Sequence, residues 1–459
     1  MKVRISNKLR LTEVPEAIHG ILVEKLKFLN PKWVENERMG RWNRGTPKVL
    51  RFFRRLPGGG LQIPRGYMRQ LYYLCKGQGE ALEIDDRRQR LPEVSFDFLG
   101  ELKPFQKKAV EIMLAKEFGT LSAPTGSGKT VMAIYMIARR RQPALVIVHT
   151  KDLALQWVDR LSQFLDIPSD QIGFIGGGKK RVGPCVTVAL VQSLYKCTQE
   201  VAPKIGHLVV DECHRAPSRT FTEAVTAFDC RYMLGLSATP WRRDRLSKLI
   251  FWHLGDVHHE VRKSDLVAKG DLLDLEVVVR PTEFKPYYDP VNEYSKMLSE
   301  LTSDDERNRL IANDIAKEVQ QNANGGVSLV LSDRKRHCEN LQALLKHKHH
   351  IDAELLTGDL PMEQRRKIIA RIETGQVGAL IATGQLIGEG FDCPAMSTLF
   401  LTTPIRFSGR VVQYLGRVLR PVKGVKHARV YDYVDIHVEP LQAAAKARQR
   451  VYRKNGNKV

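Results

Sequence analysis

Three short stretches carry residue types whose spacing suits phosphoryl chemistry. Ala123-Pro124-Thr125-Gly126-Ser127-Gly128-Lys129-Thr130 has the composition of a phosphate-binding loop. Gly126 and Gly128 let the backbone curl so that successive N–H groups aim at phosphate oxygens, and a helix starting just after them adds its dipole. Lys129 would reach the β- and γ-phosphates, and the Thr130 hydroxyl would ligate Mg²⁺. The first position is alanine where the strict pattern has glycine, a mild departure because the cradle depends on the later glycines. Leu208-Val209-Val210-Asp211-Glu212 is an apolar run ended by paired carboxylates. Asp211 would hold Mg²⁺, and Glu212 would accept the proton of an attacking water. Arg417 and Arg420 stand three apart, which on a helix puts both on one side, and the fixed fork of a guanidinium suits charge spread over phosphoryl oxygens. Singly, the phosphate loop is the strongest of these signals; the alternatives are a Gly/Ser loop entering an ordinary helix, a helix N-cap and a solvated basic face. Their succession along one chain favours a site for a nucleoside triphosphate and Mg²⁺.

The elements that must position these residues are legible in the hydrophobic pattern. The run Thr120–Ser122 precedes the loop and the helical pattern Val131–Arg140 follows it, the strand, loop and helix that phosphate binding requires. From about Phe98 onward, short apolar strands alternate with helical patterns, the signature of parallel α/β layers. Leu145–His149, His207–Val210 and Met233–Leu236 form a first series of strands. Val327–Leu331, Leu355–Leu356, Ala379–Ala382, Thr398–Leu401 and Val430–Tyr433 form a second. The expected organisation is one α/β domain at 98–262, a connection with a helical insertion at 263–325, a second α/β domain at 326–440 and a basic, fraying tail at 441–459. Ahead of these, residues 1–97 hold 20 Lys/Arg against 11 Asp/Glu and carry no catalytic signature. They read as a separate small basic α+β domain. Its Trp33, Trp42, Phe52, Phe53, Tyr67, Tyr72 and Tyr73 interleave with arginines. Most such rings are core, but an aromatic beside arginines can also stack on or wedge between bases.

Composition narrows the class. A chain of 459 residues suggests about three domains, and 43% hydrophobic with 27% charged residues is a globular balance that excludes disordered and fibrous classes. The net charge of +22 calls for a polyanionic partner, because each phosphate neutralised by Lys or Arg releases counterions. Met1 to Leu11 has no apolar core of a signal peptide, and no run approaches the roughly 20 apolar residues of a membrane span. The seven cysteines, Cys75, Cys185, Cys197, Cys213, Cys230, Cys338 and Cys393, show no C-x-x-C pair and read as buried thiols. A cytoplasmic location is expected, nucleoid-associated if the source is bacterial. His258-His259 and the run Lys346 to His350 read as solvated loops and not as metal ligands.

At Asp211-Glu212-Cys213-His214 the sequence resembles the DEAH-type box of superfamily 2 helicases, and further segments fall in that family's order. Leu102-Lys103-Pro104-Phe105-Gln106 resembles the segment whose glutamine reads adenine, which implies that role for Gln106. Ser237-Ala238-Thr239 resembles motif III. Thr383 with Gly388-Glu389-Gly390-Phe391-Asp392 resembles motif V, implying nucleotide contacts for Gly390 and Asp392. Gln413-Tyr414-Leu415-Gly416-Arg417-Val418-Leu419-Arg420 resembles motif VI, implying that Gln413 helps to position water or phosphate. The resemblance implies nucleic-acid backbone contacts at Thr150, Lys151 and Gln156, at Gln192 and Ser193, at Ser332 to Arg334, and at Thr357, Gly358 and Thr383. Trp241-Arg242-Arg243-Asp244 resembles, with a changed middle residue, the Arg-Glu-Asp element of XPB-type repair helicases, which adds Arg242. The layout as a whole resembles XPB-type repair helicases and phage branch-migration helicases. It implies an α/β fold of two tandem RecA-like parallel-sheet domains preceded by a small basic α+β domain, with ATP and Mg²⁺ as cofactors. The implied activity is ATP-driven unwinding or branch migration of duplex, forked or branched DNA in repair or recombination, with an accessory nuclease or repair protein supplied in trans. An RNA helicase, or a translocating or switching subunit of a restriction-type complex, is the alternative.

Overall fold

The computed structural model describes residues 1–215, 219–238, 247–321, 326–384, 396–405, 408–422, 424–425 and 427–454. They fall into two compact units, Met1–Ala123 with Gly128–Val261 and Arg262–Val459 with Pro124–Ser127. The central sheet of the first unit has eight strands in the order Lys179–Arg181, Gly173–Gly176, Val186–Leu190, Ala144–Val148, His207–Val210, Tyr232–Ser237, Phe118–Ser122 and Val257–Glu260. All neighbours are parallel except the first pair. Every residue of Ala144–Val148 and His207–Val210 is buried, which is why these strands are continuously apolar and do not alternate.

A second sheet in the same unit comes from the first 97 residues. Its five strands run Arg54–Arg55, Leu61–Pro64, Lys8–Thr12, Lys2–Ile5 and Glu83–Asp86. Lys2–Ile5 alternates exposed and buried residues, so Val3 and Ile5 face inward beneath the helices Glu16–Lys25 and Met68–Gly77 through Leu22, Leu71 and Cys75. This core closes only with Leu249 and Trp252, from the helix Ser247–Leu254 of the α/β layer. The Trp252 ring lies 5.2 Å from Phe52, 6.0 Å from Phe28 and 6.2 Å from Tyr67. Arg65, 2% exposed, donates to the Cys230 carbonyl at 2.8 Å, and a β-carbon on Gly66 would strike the backbone of Phe251, Trp252 and Gly255. Residues 1–97 are therefore not packed as a separate body. Their apolar core is completed by a tryptophan more than 150 residues downstream.

The second unit holds a fully parallel sheet of six strands, Asp274–Thr282, His427–Asp435, Met396–Leu401, Val327–Ser332, Ala379–Thr383 and Glu354–Leu356. Asp274–Thr282 lies inside the stretch read as a connection with a helical insertion, yet it pairs over nine residues with His427–Asp435. It escapes the hydrophobic pattern because it is an edge strand, where Asp274, Glu276, Arg280 and Pro281 are tolerated. The helices Tyr294–Ser303 and Asp305–Gln321 follow it. The expected basic tail is a helix, Glu439–Lys454. Its Arg448 is 3% exposed and pairs with the fully buried Asp432 at 2.7 Å, while the Tyr452 hydroxyl donates to the same carboxylate at 2.9 Å.

Lys346 to His349 form the last turn of the helix Lys335–His349, not a loop, with His350 as its left-handed cap. The basic residues there complement the helix dipole. His258 and His259 lie in the edge strand Val257–Glu260. No group of three or more metal-ligating side chains occurs among the described residues. The six described cysteines are free thiols, five of them buried, and Cys393 lies outside the described residues. No described helix is long and apolar enough to cross a membrane.

Candidate functional site

The phosphate loop and the acidic box follow the carboxyl ends of parallel strands of the eight-stranded sheet, where open α/β sheets bind ligands. The phosphate loop leaves Phe118–Ser122 and enters the helix Lys129–Arg140. Gly126 and Gly128 take φ of 87° and 80°, the left-handed curl the loop composition predicts. The loop is tied down locally. Ser127 Oγ donates to the Pro124 carbonyl at 2.7 Å, Lys129 Nζ donates to the Ala123 carbonyl at 3.1 Å, and Ala123 N donates to the Ser237 carbonyl at 3.0 Å. Thr125 and Thr130 are half-buried beside it. Gln106 lies against this loop. Its Oε1 accepts from the Lys103 amide at 2.9 Å in a capping box, and a β-carbon on Gly128 would collide with its side-chain amide.

Asp211 and Glu212 follow His207–Val210. Asp211 is 5% exposed, and its Oδ2 accepts from the Trp157 indole Nε1 at 2.8 Å. Burial first, and then the adjacent Glu212 carboxylate, push its pKa up to about 6, against the pull of the Trp157 N–H and the Lys129 charge. A carboxylate held dry beside another carboxylate and a phosphate loop is poised for a cation. Glu212 takes φ of 49°, a conformation rare for a residue with a β-carbon and common at functional turns. Its Oε2 lies 3.0 Å from His214 Nδ1, which is 3.2 Å from Ser237 Oγ. The acidic box and the end of the next strand are thus joined by side chains.

Trp157 was not among the predicted residues. In the helix Lys151–Leu165 it sits with Ala154, Leu161 and Leu165 on the buried stripe, so its spacing announces core packing and gives no sign that the indole N–H meets a carboxylate. Thr150, read as a backbone contact, caps this helix by accepting from Leu153 N at 3.4 Å. Lys151 and Gln192 are exposed, and Gln156 and Ser193 half-buried.

The second unit carries the remaining residues. Ser332, Thr383 and Leu356, which precedes Thr357, end three neighbouring strands. Ser332 does not fit a phosphate contact. Its side chain is 1% exposed and its hydroxyl is engaged with His337 Nδ1 at 2.9 Å and Arg334 N at 3.1 Å. Thr357 is 5% exposed, Gly358 and Thr383 remain accessible, and Arg334 donates to Ser295 Oγ at 3.0 Å. Arg417 stands in the last turn of Ser408–Val418. Arg420 lies beyond that helix, so the two arginines do not share a helical face. Pro421 blocks the continuation that the spacing assumed. The Tyr414 hydroxyl, buried, donates to the Gly384 carbonyl at 2.7 Å, tying this helix to the end of Ala379–Thr383. The Gln413 side chain, Thr239, Arg242, Gly390 and Asp392 lie outside the described residues.

Two family models match successive segments of the chain. The family model described as type III restriction enzyme, res subunit, matches residues 99–242, and the helicase conserved C-terminal domain matches residues 310–422. The DNA 3'-5' translocase XPB2 of Sulfurisphaera tokodaii is 26% identical over 70% of this chain and 79% of its own length. The DNA 3'-5' helicase XPB of Kineococcus radiotolerans is 26% identical over 77% of this chain and 63% of its own length. Among solved structures, S. cerevisiae Dbp5 bound to RNA and ADP BeF3 superposes with a TM-score of 0.52 at 15% identity, covering 77% of this chain and 93% of that one, a likeness of fold alone. With the two models falling in order on its two parallel sheets, the chain belongs to the superfamily 2 helicases, ATP-hydrolysing enzymes built on two RecA-like domains.

Proposed function

We propose that this chain is an ATP-driven DNA helicase or translocase that unwinds or branch-migrates structured DNA in repair or recombination. The observation that carries the chemistry is the dry Asp211 carboxylate, held by Trp157 and placed with Glu212, His214 and Ser237 at the strand ends beside the phosphate loop. ATP and Mg²⁺ fit these residues. The loop is curled by left-handed Gly126 and Gly128, a β-carbon on Gly128 would strike the Gln106 side-chain amide, and the donors nearby are a hydroxyl and a carboxylate. In this reading the loop amides and Lys129 hold the phosphates, Thr130 and Asp211 hold Mg²⁺, and Gln106 orients the adenine. When bound, Mg²⁺ neutralises charge on the phosphoryl oxygens. Glu212 accepts the proton of the attacking water, with Asp211-Glu212-Cys213-His214 acting as a DEAH-type box. Gln413, Arg417 and Arg420 stabilise charge on the phosphoryl oxygens.

DNA is favoured over RNA by the two relatives named above, a DNA 3'-5' translocase and a DNA 3'-5' helicase. Thr150, Lys151, Gln156, Gln192, Ser193, Arg334, Gly358 and Thr383 are the remaining candidates for phosphate contacts, which position a strand without reading its sequence. The test is ATP turnover and strand displacement on forked, Holliday-like and single-stranded substrates. Stimulation by DNA with displacement is expected. Glu212→Gln should still bind ATP yet lose hydrolysis by a factor of about 10² or more, and Lys129→Ala should lose both. Normal turnover in Glu212→Gln would overturn the assignment of the base. Stimulation by RNA alone would mark an RNA helicase, and stimulation without displacement a translocating subunit.

A further inference from the structure

Residues 27–51 leave the front sheet as a small outgrowth. Lys27–Leu29 and Val49–Arg51 pair as an antiparallel ribbon in a sheet of their own, with the helix Pro31–Arg38 and a turn between them. No residue from 31 to 51 is buried, so beyond its root no apolar core orders the outgrowth. Polar braces do. The Asn30 side chain accepts from Lys32 N at 3.1 Å and donates to the Pro47 carbonyl at 3.0 Å. Asn36 donates to Asn43 Oδ1 at 3.0 Å, Asn43 donates to the Trp33 carbonyl at 3.3 Å, and Arg41 N donates to the Asn36 carbonyl at 2.8 Å. The Lys48 ammonium sits 4.9 Å over the Trp33 ring. Gly40 and Gly45, with φ of 63° and 77°, turn the chain on either side of the tip. There Trp42 is 84% exposed, flanked by Arg41 and Arg44. At the root, Phe28 and Phe52 stack 5.5 Å apart and both meet Trp252.

The charge defines the ligand. From Arg38 to Gly79 the chain has ten Lys/Arg and no Asp or Glu, and the seven between Arg38 and Arg55 are all exposed. Such a surface attracts phosphate backbones. An indole face held in water between arginines matches an unpaired base whose flanking phosphates the guanidiniums take. A continuous duplex offers no free base face, whereas a fork or junction does.

Resting on the DNA-motor reading above, we propose that Trp42 is the tip of a rigid finger that stacks on an unpaired base at a fork or junction in DNA. The same structure removes Phe52 and Tyr67 from that role, because they pack on Trp252.

The test uses the full chain and its Trp42→Phe and Trp42→Ala variants, with thermal unfolding to confirm that each is folded. Forked DNA should quench tryptophan emission in the wild type, and that quench should fall sharply in Trp42→Phe, because no other exposed indole is available among the described residues. Trp42→Ala should lose roughly tenfold in affinity for the fork while its affinity for a blunt duplex of the same sequence changes less than about twofold. Wild-type fork affinity in Trp42→Ala, or an undiminished quench in Trp42→Phe, overturns the proposal. A quench by an RNA hairpin but not by forked DNA overturns the choice of DNA. Stimulation of wild-type ATP turnover by DNA is scored separately: its absence sinks the motor reading, whereas its presence with indifferent Trp42 variants sinks only the finger.

Discussion

Asp211 and Trp157 are both buried, and the 2.8 Å hydrogen bond between them holds one carboxylate oxygen while the Glu212 amide donates to the other at 2.8 Å. Trp157→Phe keeps the ring volume and deletes the donor. A hydrogen bond to a charged group contributes about 1.5–3 kcal/mol, so Mg²⁺-dependent ATP binding, followed by titration calorimetry, should weaken by roughly tenfold or more. Unchanged affinity would reduce Trp157 to a packing residue. The residue scale is also where the sequence misleads most. Ser332 has the type and position of a phosphate ligand but its hydroxyl is sealed against His337 and Arg334, and Arg420 has helical spacing from Arg417 without a helix beneath it.

The elements tell a different story about charge. The helix Glu439–Lys454 looks dispensable by composition, yet it delivers Arg448 and Tyr452 onto Asp432, whose carboxylate is fully buried. Arg448→Ala leaves that carboxylate without its cation, a loss of about 3–5 kcal/mol. Thermal or urea unfolding should register it, and a variant as stable as the wild type would contradict the pairing. The strand Asp274–Thr282 makes the same point in reverse. Its charges belong to an edge, and only its nine-residue register with His427–Asp435 identifies it as part of the sheet.

Across the whole molecule, three histidines are buried as neutral rings. Burial lowers His207 and His337 to about 3 and His253 to about 4. In the unfolded chain each would take a proton near pH 6.5. Because the folded values are depressed, the unfolded state binds more protons between pH 6.5 and about 4, and stability falls as the pH is lowered through that window. Each histidine contributes a slope of about 1.4 kcal/mol per pH unit. His207 and His253 lie in the first unit and His337 in the second. Urea unfolding at pH 7.5 and 5 should show both units losing stability at the lower pH. Replacing His207 by Gln should reduce the slope of the first unit while leaving the share of His253, and an unchanged slope would remove His207 as a cause.

The sequence by itself determined the phosphate loop, the acidic box, the two successive parallel sheets and the basic surplus, because each is written in local terms: a turn that needs glycine, a strand buried on both faces, an unbalanced count of charges. What only the tertiary structure decided depends on contacts between residues far apart in the chain. The seating of the front sheet on Trp252, the capture of the final helix by Asp432, the indole on Asp211 and the exposure of Trp42, Tyr72 and Tyr73 among seven candidate rings all turn on which side chains find a partner across the core. Burial is a property of the assembled fold, and spacing along a strand or helix selects a face without naming what that face will meet.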